Sequence, residues 1–351
     1  MTEDIKILIT YNAPVALYSV YSGKESVSKP DDLSESSFFN ELAFIKESLL
    51  KYFSEVEILA VDSDIFLLID KLNIIKPDVI VNFVESVEGV TSFESYVTGL
   101  YELMNIPYTG NDTLTLSNCL DKSRAKEFLT AQGINTPKYF IYKPSAKNPL
   151  KDFDLNFPVI SKLAKEDASI GISENSVSYN ETELLKQLGF LAKTYNQNII
   201  LEEYIDGREF NVAILDDFPL PISEICFNSL PDSLPKIVTY EGKWIVDTVY
   251  YDNTVPQCPA NIDDDLKFLL ETTAIRAYHA LNCRDYVRVD IRLSQSGIAY
   301  VIEVNPNPDI SLDSGFNRAA KAVGIDHGML LNKLVTLALK RRIYDTAIKA
   351  I

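Results

Sequence analysis

Polar side chains recur at alternate positions in two strand-like segments near the C-terminus. The first reads Arg288-Val-Asp-Ile-Arg and the second Tyr300-Val-Ile-Glu-Val-Asn-Pro-Asn-Pro, with a turn-forming Ser-Gln-Ser-Gly between them. Because alternate residues of a strand share a face, a hairpin would bring Asp290, Glu303 and Asn305 together beside Arg288. Such a set suits Mg²⁺ that bridges nucleotide phosphates, because Mg²⁺ takes few protein carboxylates and shares phosphate oxygens. A surface hairpin with solvated charges is the alternative reading of this segment alone.

Three lysines outside this hairpin could hold the phosphates. Lys122 lies in Asp-Lys-Ser-Arg-Ala-Lys at a predicted helix start, where the helix dipole favours anions. Lys162 ends the strand-like Pro-Val-Ile-Ser-Lys, and the small-residue loop at 166–171 could present backbone N–H groups to phosphates. Lys243, in Tyr-Glu-Gly-Lys-Trp, is available as a further phosphate clamp. Each lysine taken alone is more often just a solvated surface charge.

Two carboxylates could bind the nucleoside. Glu202 and Glu209 lie on either side of a glycine-containing turn in the segment Leu-Glu-Glu-Tyr-Ile-Asp-Gly-Arg-Glu-Phe. A carboxylate beside a strand backbone can bind the edge of adenine, and a second carboxylate can accept hydrogen bonds from ribose hydroxyls.

Composition indicates the kind of ligand. The 351 residues suffice for two or three domains, and 46% hydrophobic and 11% aromatic content indicate a packed globular protein. The net charge of −17 disfavours nucleic acid or an anionic membrane as a general partner, because both require a basic surface. An anionic ligand would therefore be small and held by a local cluster of lysine, arginine and metal.

Other chemistries have little support. The acidic N-terminus runs straight into an apolar segment, unlike a signal peptide, and no apolar stretch approaches the roughly 20 residues that span a bilayer. The four cysteines lie far apart without a CxxC motif, so a cytoplasmic location is expected. With only His279 and His327 available, a histidine-based triad is not predicted.

Strand-like and helical patterns alternate in the first part of the chain. Apolar runs at 5–10, 56–61 and 79–84 read as buried strands, and 38–53 has helical apolar spacing. This order predicts an open α/β layer of the Rossmann type, without a GxGxxG dinucleotide motif. The polar segment 22–37 is predicted to be a mobile loop.

Further elements would position the candidate residues. A helix at 121–132 is predicted, with Asp121 as its N-cap and Gly133 at its end. Other helices are expected at 181–195, 263–281 and 326–342, and strands at 199–204 and 209–216.

In this order and spacing, the segments resemble the ATP-grasp ligases, in the branch of D-alanine–D-alanine ligase and its relatives. The resemblance runs from about residue 75 to the C-terminus, and no single motif carries it. Its anchors are Ile106-Pro-Tyr-Thr-Gly, Asp121-Lys-Ser-Arg-Ala-Lys, Pro158-Val-Ile-Ser-Lys, Leu201-Glu-Glu-Tyr, Tyr240-Glu-Gly-Lys-Trp, Arg288-Val-Asp and Glu303-Val-Asn-Pro.

The resemblance implies an α/β chain with a three-domain ATP-grasp fold, whose ATP-grasp part is α+β. Residues 1–115 would form an N-terminal Rossmann-like pre-ATP-grasp domain. Residues 116–203 would form the central ATP-grasp lid subdomain, and 204–351 the C-terminal ATP-grasp catalytic subdomain.

The resemblance also implies ATP and two Mg²⁺ ions as cofactors, with Mn²⁺ as a possible substitute. Lys122 and Lys162 would hold the ATP phosphates, Glu202 would face the adenine amino group, and Glu209 would hold the ribose. The metal ligands would be Asp290, Glu303 and Asn305. The nucleotide-binding set would be completed by Glu203, Tyr204, Ile205 and, in the small-residue loop, Ser169.

The implied reaction has two steps. A substrate carboxylate attacks the γ-phosphate to give an acyl phosphate, and an amine then displaces phosphate to form an amide. Lys243 would touch the transferred phosphate, Arg288 would stabilise the acyl phosphate and the tetrahedral intermediate, and Ser314 would meet the carboxylate of the amine substrate. Water would be excluded by a lid made of the loops 163–172 and 229–247.

Departures from the family pattern predict a different carboxylate substrate from D-alanine. The family's N-terminal segment carries a glutamate for the ammonium of the first D-alanine, whereas Tyr11-Asn-Ala-Pro-Val-Ala-Leu here is followed by no acid until Glu25. Ala168 replaces a serine, Trp244 a tyrosine, and Asp309 a glycine whose N–H helps the oxyanion.

The favoured function is therefore an ATP-dependent carboxylate–amine ligase acting on an amino acid or a small specialised carboxylate. D-alanine–D-alanine ligase itself is one alternative, and a non-catalytic ATP-binding regulatory protein is another. The expected partners are a small carboxylate and an amine, with no nucleic acid and no membrane. The sequence leaves the oligomeric state open, and a homodimer is the one assembly considered.

Overall fold

The computed structural model of the protein describes residues 3–12, 15, 17–24 and 41–349. Within these ranges the chain forms three β-sheets flanked by helices, and none of the described helices is long and apolar enough to cross a membrane. The strands are β1 (Glu3–Asn12), β2 (Phe53–Val61), β3 (Val79–Phe83), β4 (Tyr139–Tyr142), β5 (Val159–Leu163), β6 (Val177–Ser178), β7 (Ile199–Glu203), β8 (Gly207–Leu215), β9 (Phe218–Pro219), β10 (Ser223–Cys226), β11 (Val255–Gln257), β12 (Tyr286–Ser294) and β13 (Ala299–Pro306). The α-helices are α1 (Leu42–Leu49), α2 (Ile65–Ile75), α3 (Glu94–Leu103), α4 (Thr113–Leu120), α5 (Lys122–Ala131), α6 (Glu181–Tyr195), α7 (Tyr240–Trp244), α8 (Val249–Asn253), α9 (Asp264–Ala280), α10 (Gly315–Lys321) and α11 (His327–Lys349).

The first sheet is parallel, with strand order β2-β1-β3. Its central strand carries an apolar run in which Ile7, Leu8 and Ile9 are fully buried, as expected for a parallel strand that is covered on both faces. Ile7 and Ile9 share a core with α1 and α11, whereas Leu8 shares one with α2 and α3. The α/β layer predicted for the first part of the chain is therefore present.

The helix predicted over 38–53 is shorter than its apolar spacing suggested. α1 ends at Leu49, and Phe53 begins β2, where its side chain is buried against the same core as α1. Phe53 pairs with the start of β1, so the pairing of strands overrides the helical period at this position. Residues 25–40, which include most of the loop predicted at 22–37, lie outside the described residues.

The second sheet is antiparallel, with strand order β4-β7-β5-β6, and α6 packs on it. α6 has the bounds predicted from the sequence. Asn180 caps its start by accepting a hydrogen bond from the Glu183 N–H, and Asn196 ends it with a φ of 49°. Leu163 of β5 and Leu201 of β7 belong to the core that the sheet shares with α6, so the adjacent Lys162 and Glu202 lie on the opposite face of the sheet.

The third sheet is antiparallel, with strand order β11-β10-β8-β12-β13, and β9 pairs with β8. α9 covers one face through Leu270, Ala274 and Ala277, which are fully buried at helical spacing. α4 and α5 pack into the same core. We therefore propose that the central domain begins after residue 134, later than the predicted boundary at 116.

The first and third sheets are joined at the end of β13. Gly110 has a φ of +93°, and a Cβ at this position would collide with the side chain of Asn307, so only glycine fits there. Asn307 accepts a hydrogen bond from the Asn111 N–H at 2.8 Å, and Asp285 accepts one from the Gly110 N–H at 2.7 Å. Asp285 also pairs with Arg341 of α11. These contacts fix the end of β13 relative to the first sheet.

Candidate active site

The hairpin that carries the candidate metal ligands forms as the sequence predicts. β12 and β13 are antiparallel, with Asp290 opposite Glu303 and Arg288 opposite Asn305. All four residues line a cavity of about 920 Å³ between the second and third sheets. The same cavity is lined by every other residue selected from the sequence: Lys122, Lys162, Ser169, Glu202, Glu203, Tyr204, Ile205, Glu209, Lys243 and Ser314. They share one site, and their individual roles stay predictions.

Asp290 is held by four hydrogen bonds. Arg288 donates from Nε at 2.8 Å and from Nη2 at 2.9 Å. Asn211 of β8 and Asn305 of β13 donate from their amide nitrogens at 2.7 and 3.0 Å. Burial disfavours the charged guanidinium, but Asp290 outweighs it and raises the pKa of Arg288. Arg288 is therefore charged and held in one orientation.

Lys122 ties α5 to the hairpin and to the loop after β5. Its Nζ lies 2.9 Å from Glu303 Oε1 and 2.9 Å from Asp167 Oδ1, and it donates to the Glu166 carbonyl at 2.6 Å. Burial opposes the charge, but the two carboxylates outweigh it and raise the pKa of Lys122. Burial also acts against ionised Glu303, yet Lys122 and the other nearby cations hold its pKa at about 2.

This low pKa predicts how the stability depends on pH. The ordinary value of a glutamate is 4.5, so the stabilisation from ionised Glu303 is complete above that pH and is lost as the pH falls toward 2. We expect the difference in Tm between the wild type and Glu303→Gln to be largest near about pH 6 and to shrink toward about pH 2–3. Calorimetry over a pH series measures it. Glu55→Gln, which removes an exposed ion pair with Lys6, is the control, and a Glu303→Gln difference that is independent of pH would contradict the prediction.

The three candidate metal ligands fit Mg²⁺ by type. Mg²⁺ is bound through one or two carboxylates together with substrate phosphates, and here there are two carboxylates, Asp290 and Glu303. In the described part of the chain, no group of three or more His, Cys, Asp or Glu side chains is arranged to hold a metal by itself. Asn305 donates through its amide nitrogen, so its carbonyl oxygen is the atom that could bind a cation. Asp290 could bind one only after a donor moves, because a carboxylate has about four acceptor sites.

Glu202 lies between two lysines. Lys126 Nζ is 2.9 Å from its Oε1 and Lys162 Nζ is 2.8 Å from its Oε2. Burial raises the pKa of Glu202, but the two lysines outweigh burial and lower it; for Lys126 burial prevails and lowers the pKa. Lys126 was missed in the sequence, although it lies one helical turn after Lys122 in the same motif. An adenine amino group would have to share Glu202 with both lysines.

Glu209 is paired with a residue that sequence reasoning missed. Arg292 Nη2 lies 2.7 Å from Glu209 Oε2, and the guanidinium lies over the Tyr204 ring at 5.6 Å. Burial is the largest influence and raises the pKa of Glu209 despite this arginine. Side chains of a strand alternate between its two faces, so Arg292 lies on the same face as Arg288 and Asp290. This alternation could have identified Arg292 from the sequence.

The backbone after Glu202 follows the cavity wall. The Glu203 N–H donates to the Lys138 carbonyl and the Tyr204 N–H to the Pro158 carbonyl, each at 2.9 Å. Both N–H groups are therefore committed to neighbouring backbone. A backbone N–H of this segment that donates to an adenine ring nitrogen would therefore have to be that of Ile205, whereas carbonyl groups can still accept from the adenine amino group.

The small-residue loop after β5 turns over the cavity. Ala168 and Ser169 have positive φ angles of 54° and 61°, which are uncommon for residues other than glycine. The N–H groups of 170–172 all donate to carbonyl groups of the chain. Only the earlier N–H groups of the loop could bind phosphate without rearrangement. Trp244 Nε1 donates to the Ala168 carbonyl at 3.0 Å and so joins the loop to α7.

Lys243 projects from α7 with its Nζ 5.3 Å from the centre of the Trp244 ring. Burial, and then the charge of Arg288, lower the pKa of Lys243. A bound anionic group near Lys243 and Arg288 would attract both cations, and so would favour the charged form of Lys243.

Ser314 and Asp309 lie in the segment after β13. Ser314 caps α10, because its Oγ accepts a hydrogen bond from the Asn317 N–H at 3.2 Å, and its hydroxyl proton can still donate to a ligand. Asp309 accepts from the N–H and the hydroxyl of Ser311, both at 2.8 Å. The negative charge of the Asp309 carboxylate is thus partly stabilised by hydrogen bonds within its own loop.

Comparison with known proteins identifies relatives of this chain. A family model described as D-ala D-ala ligase C-terminus matches residues 128–336. The D-alanine–D-alanine ligase of Marinomonas sp. (strain MWYL1) is 34% identical over 249 residues, which cover 71% of this chain and 74% of that protein. D-alanine–D-alanine ligase A of Bacillus cereus is 29% identical over 258 residues, covering 73% and 80%. The crystal structure of the D-alanine–D-alanine ligase from Bacillus anthracis complexed with ATP superposes with a TM-score of 0.73, at 23% identity, over 98% of this chain and 100% of that chain.

The three-sheet fold is the ATP-grasp fold of the D-alanine–D-alanine ligases, and the family model and the relatives make this chain an ATP-grasp enzyme. The chain belongs to the D-alanine–D-alanine ligase family, because the family model covers more than half of it and a relative is 34% identical. The resemblance and the fold class predicted from the sequence are confirmed.

Proposed function

We propose that the protein is an ATP-dependent ligase that joins a carboxylate to an amine through an acyl phosphate. The observation that carries this proposal is the placement of Arg288 and Lys243 on the same cavity as the Lys122–Glu303 pair. Family membership supports an enzyme that forms carbon–nitrogen bonds and releases ADP. The Bacillus anthracis relative was crystallised with ATP, which supports ATP as the nucleotide.

The nucleotide would lie between the second and third sheets. Lys122 and Lys162, each now paired with a carboxylate, would exchange that partner for a phosphate oxygen. Ser169 and the start of its loop would cover the phosphates. Glu202 and the backbone of Ile205 would contact adenine, and Glu209 the ribose hydroxyls.

Mg²⁺ would be held by Glu303, the Asn305 carbonyl oxygen and Asp290. When bound, it would neutralise charge on the transferred phosphoryl group and keep the attacking and leaving oxygens in line. Mn²⁺ could take the same oxygen ligands.

In the first step, a carboxylate oxygen of the substrate attacks the γ-phosphorus of ATP, and the bond to the bridging oxygen of ADP breaks. Phosphoryl transfer needs charge neutralisation and positioning more than acid–base chemistry. Lys243 and Arg288 would supply that charge. Asp290 fixes the guanidinium through two hydrogen bonds, so Arg288 would need no reorientation during the reaction.

In the second step, the neutral amine attacks the acyl carbon, the bond from that carbon to the phosphate oxygen breaks, and the leaving inorganic phosphate takes up the proton that the amine nitrogen loses. Arg288 would stabilise the oxyanion of the tetrahedral intermediate. The hydroxyl of Ser314, already positioned as a helix cap, would donate to the carboxylate of the amine substrate.

An acyl phosphate survives only where water is excluded. Trp244 bonds to the Ala168 carbonyl, which connects the loops over the cavity. Lys24 ties the N-terminal segment to the same region, because its Nζ lies 3.2 Å from Glu174 and 2.8 Å from Glu241. These contacts support the predicted lid.

A screen for ADP release with pairs of amino acids and other small carboxylates tests the proposal, with each product identified by mass. An amide product that forms with one ADP per bond supports ligation. ATP binding without product across the panel would overturn it and favour a regulatory ATP-binding protein. The names of the relatives favour the D-alanine pair as the second candidate, so it belongs in the panel.

Changes at Trp244 and Ala168 are expected to alter substrate choice more than nucleotide affinity. Trp244→Phe removes the hydrogen bond to Ala168 and changes the shape of the cavity beside Lys243. We expect the KM for the carboxylate or the amine to change by about tenfold, because the Ala168 carbonyl loses its donor and the wall of the cavity changes shape, with the KM for ATP within about twofold. Steady-state kinetics with each substrate varied measures both constants, and equal shifts would refute the prediction. Val249→Ala, on the neighbouring α8 with an exposed side chain, is the control.

The location and the assembly of the enzyme are part of the proposal. All four cysteines are free thiols in the structure, which supports the predicted cytoplasmic location. Small-molecule substrates follow from the family, and a homodimer stays an expectation.

A further inference from the structure

A buried arginine that takes no part in the proposed reaction lies on the wall of the active-site cavity. Arg292 is 4% exposed and lines this cavity together with Glu209. The two residues are directly opposite each other in the antiparallel pairing of β12 with β8, so their side chains lie on the same face of the sheet. The guanidinium is therefore beside the carboxylate that is proposed to hold the ribose.

The guanidinium of Arg292 is held from several sides. Its Nη1 donates to the Gly207 carbonyl at 3.1 Å, and its Nη2 donates to the Lys236 carbonyl. The Tyr204 hydroxyl donates to the same Lys236 carbonyl at 3.2 Å. The guanidinium carbon also lies 5.6 Å from the centre of the Tyr204 ring and 5.6 Å from that of Phe227, a distance at which aromatic faces attract cations. These contacts leave the side chain little freedom to move.

This immobile guanidinium decides how Glu209 is presented to the cavity. Glu209 is buried, and its Oε2 is the oxygen that contacts Arg292, so a ribose hydroxyl would be accepted by Oε1. Burial raises the pKa of Glu209, and Arg292 is the largest influence that opposes this rise. Arg292 thus orients the carboxylate and favours its ionised form, which accepts stronger hydrogen bonds than a neutral group.

We propose that Arg292 is a positioning residue of the nucleotide site and that, through Glu209, it makes the protein select ATP over nucleotides that lack a ribose hydroxyl. The inference rests on the proposed binding of ATP in this cavity, and it assigns the selection of the sugar to a pair of residues rather than to Glu209 alone. A hydrogen bond to a fixed, charged carboxylate is strong enough to change an affinity by about tenfold or more.

The test compares the binding of ATP, 2′-deoxy-ATP and 3′-deoxy-ATP by isothermal titration calorimetry with Mg²⁺ present. We expect the wild type to bind ATP about tenfold more tightly than at least one deoxy analogue. Arg292→Gln should weaken ATP binding by about tenfold and leave the binding of that analogue within about twofold, so that the preference disappears. A purely structural role would weaken the binding of all three nucleotides alike, and that result would overturn the proposal.

Arg292→Lys carries the test if Arg292→Gln does not fold. It keeps a positive charge beside Glu209, but its flexible ammonium lacks the planar fork of donors that holds the carboxylate and two carbonyl groups at once. We expect its preference for ATP over the deoxy analogue to fall by about threefold or more. An unchanged preference in the folded lysine variant would contradict the positioning role.

Arg208→Gln is the matched control. Arg208 precedes Glu209 on β8 and therefore lies on the opposite face of the sheet, where it forms an ion pair with Glu224. Its nucleotide affinities should equal those of the wild type. Because binding is measured without a carboxylate or an amine, the predicted preference without any amide product would remove the ligase function and support the role of Arg292. Amide product together with equal binding of the three nucleotides would do the reverse.

Discussion

Replacing Arg288 by alanine is expected to lower ADP release by about a thousandfold while the protein stays folded. The guanidinium is fixed by two hydrogen bonds from Arg288 to Asp290 and lines the same cavity as Lys243 and Glu303. The variant would lose the positive charge that stabilises the negative charge on the acyl phosphate and on the tetrahedral intermediate. Glu303→Gln should have an effect of similar size, because it removes a candidate metal ligand and the partner of Lys122.

Steady-state ADP release, with circular dichroism to verify folding, measures this prediction. Arg208→Ala is the matched control: Arg208 lies on the same sheet and pairs with Glu224 at 2.7 Å, but its side chain is 43% exposed. The control should retain nearly full activity. Rates within about tenfold of the wild type in folded Arg288→Ala would contradict the assigned role.

Replacing Glu202 by alanine is expected to lower the free energy of unfolding by about 3–5 kcal/mol. Glu202 and Lys126 are 1% and 2% exposed, and Glu202 is the ion-pair partner of both Lys126 and Lys162. Without Glu202, the ammonium groups of the two lysines have lost their negative partner. The cost of keeping unpaired charges away from water then adds to the loss of the ion-pair attraction.

Urea unfolding, followed by circular dichroism, measures the loss. Glu203→Ala is the matched control, since this neighbouring carboxylate accepts its hydrogen bonds from Asn156 at an exposed edge. It should cost less than about 1 kcal/mol. Equal losses in the two variants would show that Glu202 is not held as a buried ion pair.

Most of the fold could be predicted from the sequence because its elements carry strong periodic patterns and clear end signals. α6 has the predicted bounds, and α5 begins after Asp121, whose side chain accepts from the N–H groups of Ser123 and Arg124. The helix predicted over 38–53 is the exception, because it ends before Phe53. An apolar residue at helical spacing can also belong to a strand, and Phe53 pairs with β1 in the sheet.

Residue types and alternation were enough to select residues that line one cavity, whereas the ion pairs among these residues could not be predicted. Alternation along the strands placed Asp290, Glu303 and Asn305 on one wall of the cavity. Two residues after Asp290 the same alternation reaches Arg292, and two residues after Glu209 it reaches Asn211, and both also line the cavity. The pairs Lys122–Glu303 and Lys162–Glu202 join segments that are far apart in the chain. Such contacts depend on how the sheets pack, which a single sequence does not encode in its local spacing.

The junction between the two ends of the chain limits how this enzyme could be recombined with its relatives. β1, β3, α1, α10 and α11 contribute to one apolar core, and Gly110, Asn307, Asp285 and Arg341 interlock beside it. A chimera that exchanged only the first 110 residues would place a foreign surface against α11 and against the strand end that leads into the site. A chimera that keeps this junction intact would therefore have to exchange the N-terminal layer together with the C-terminal helix.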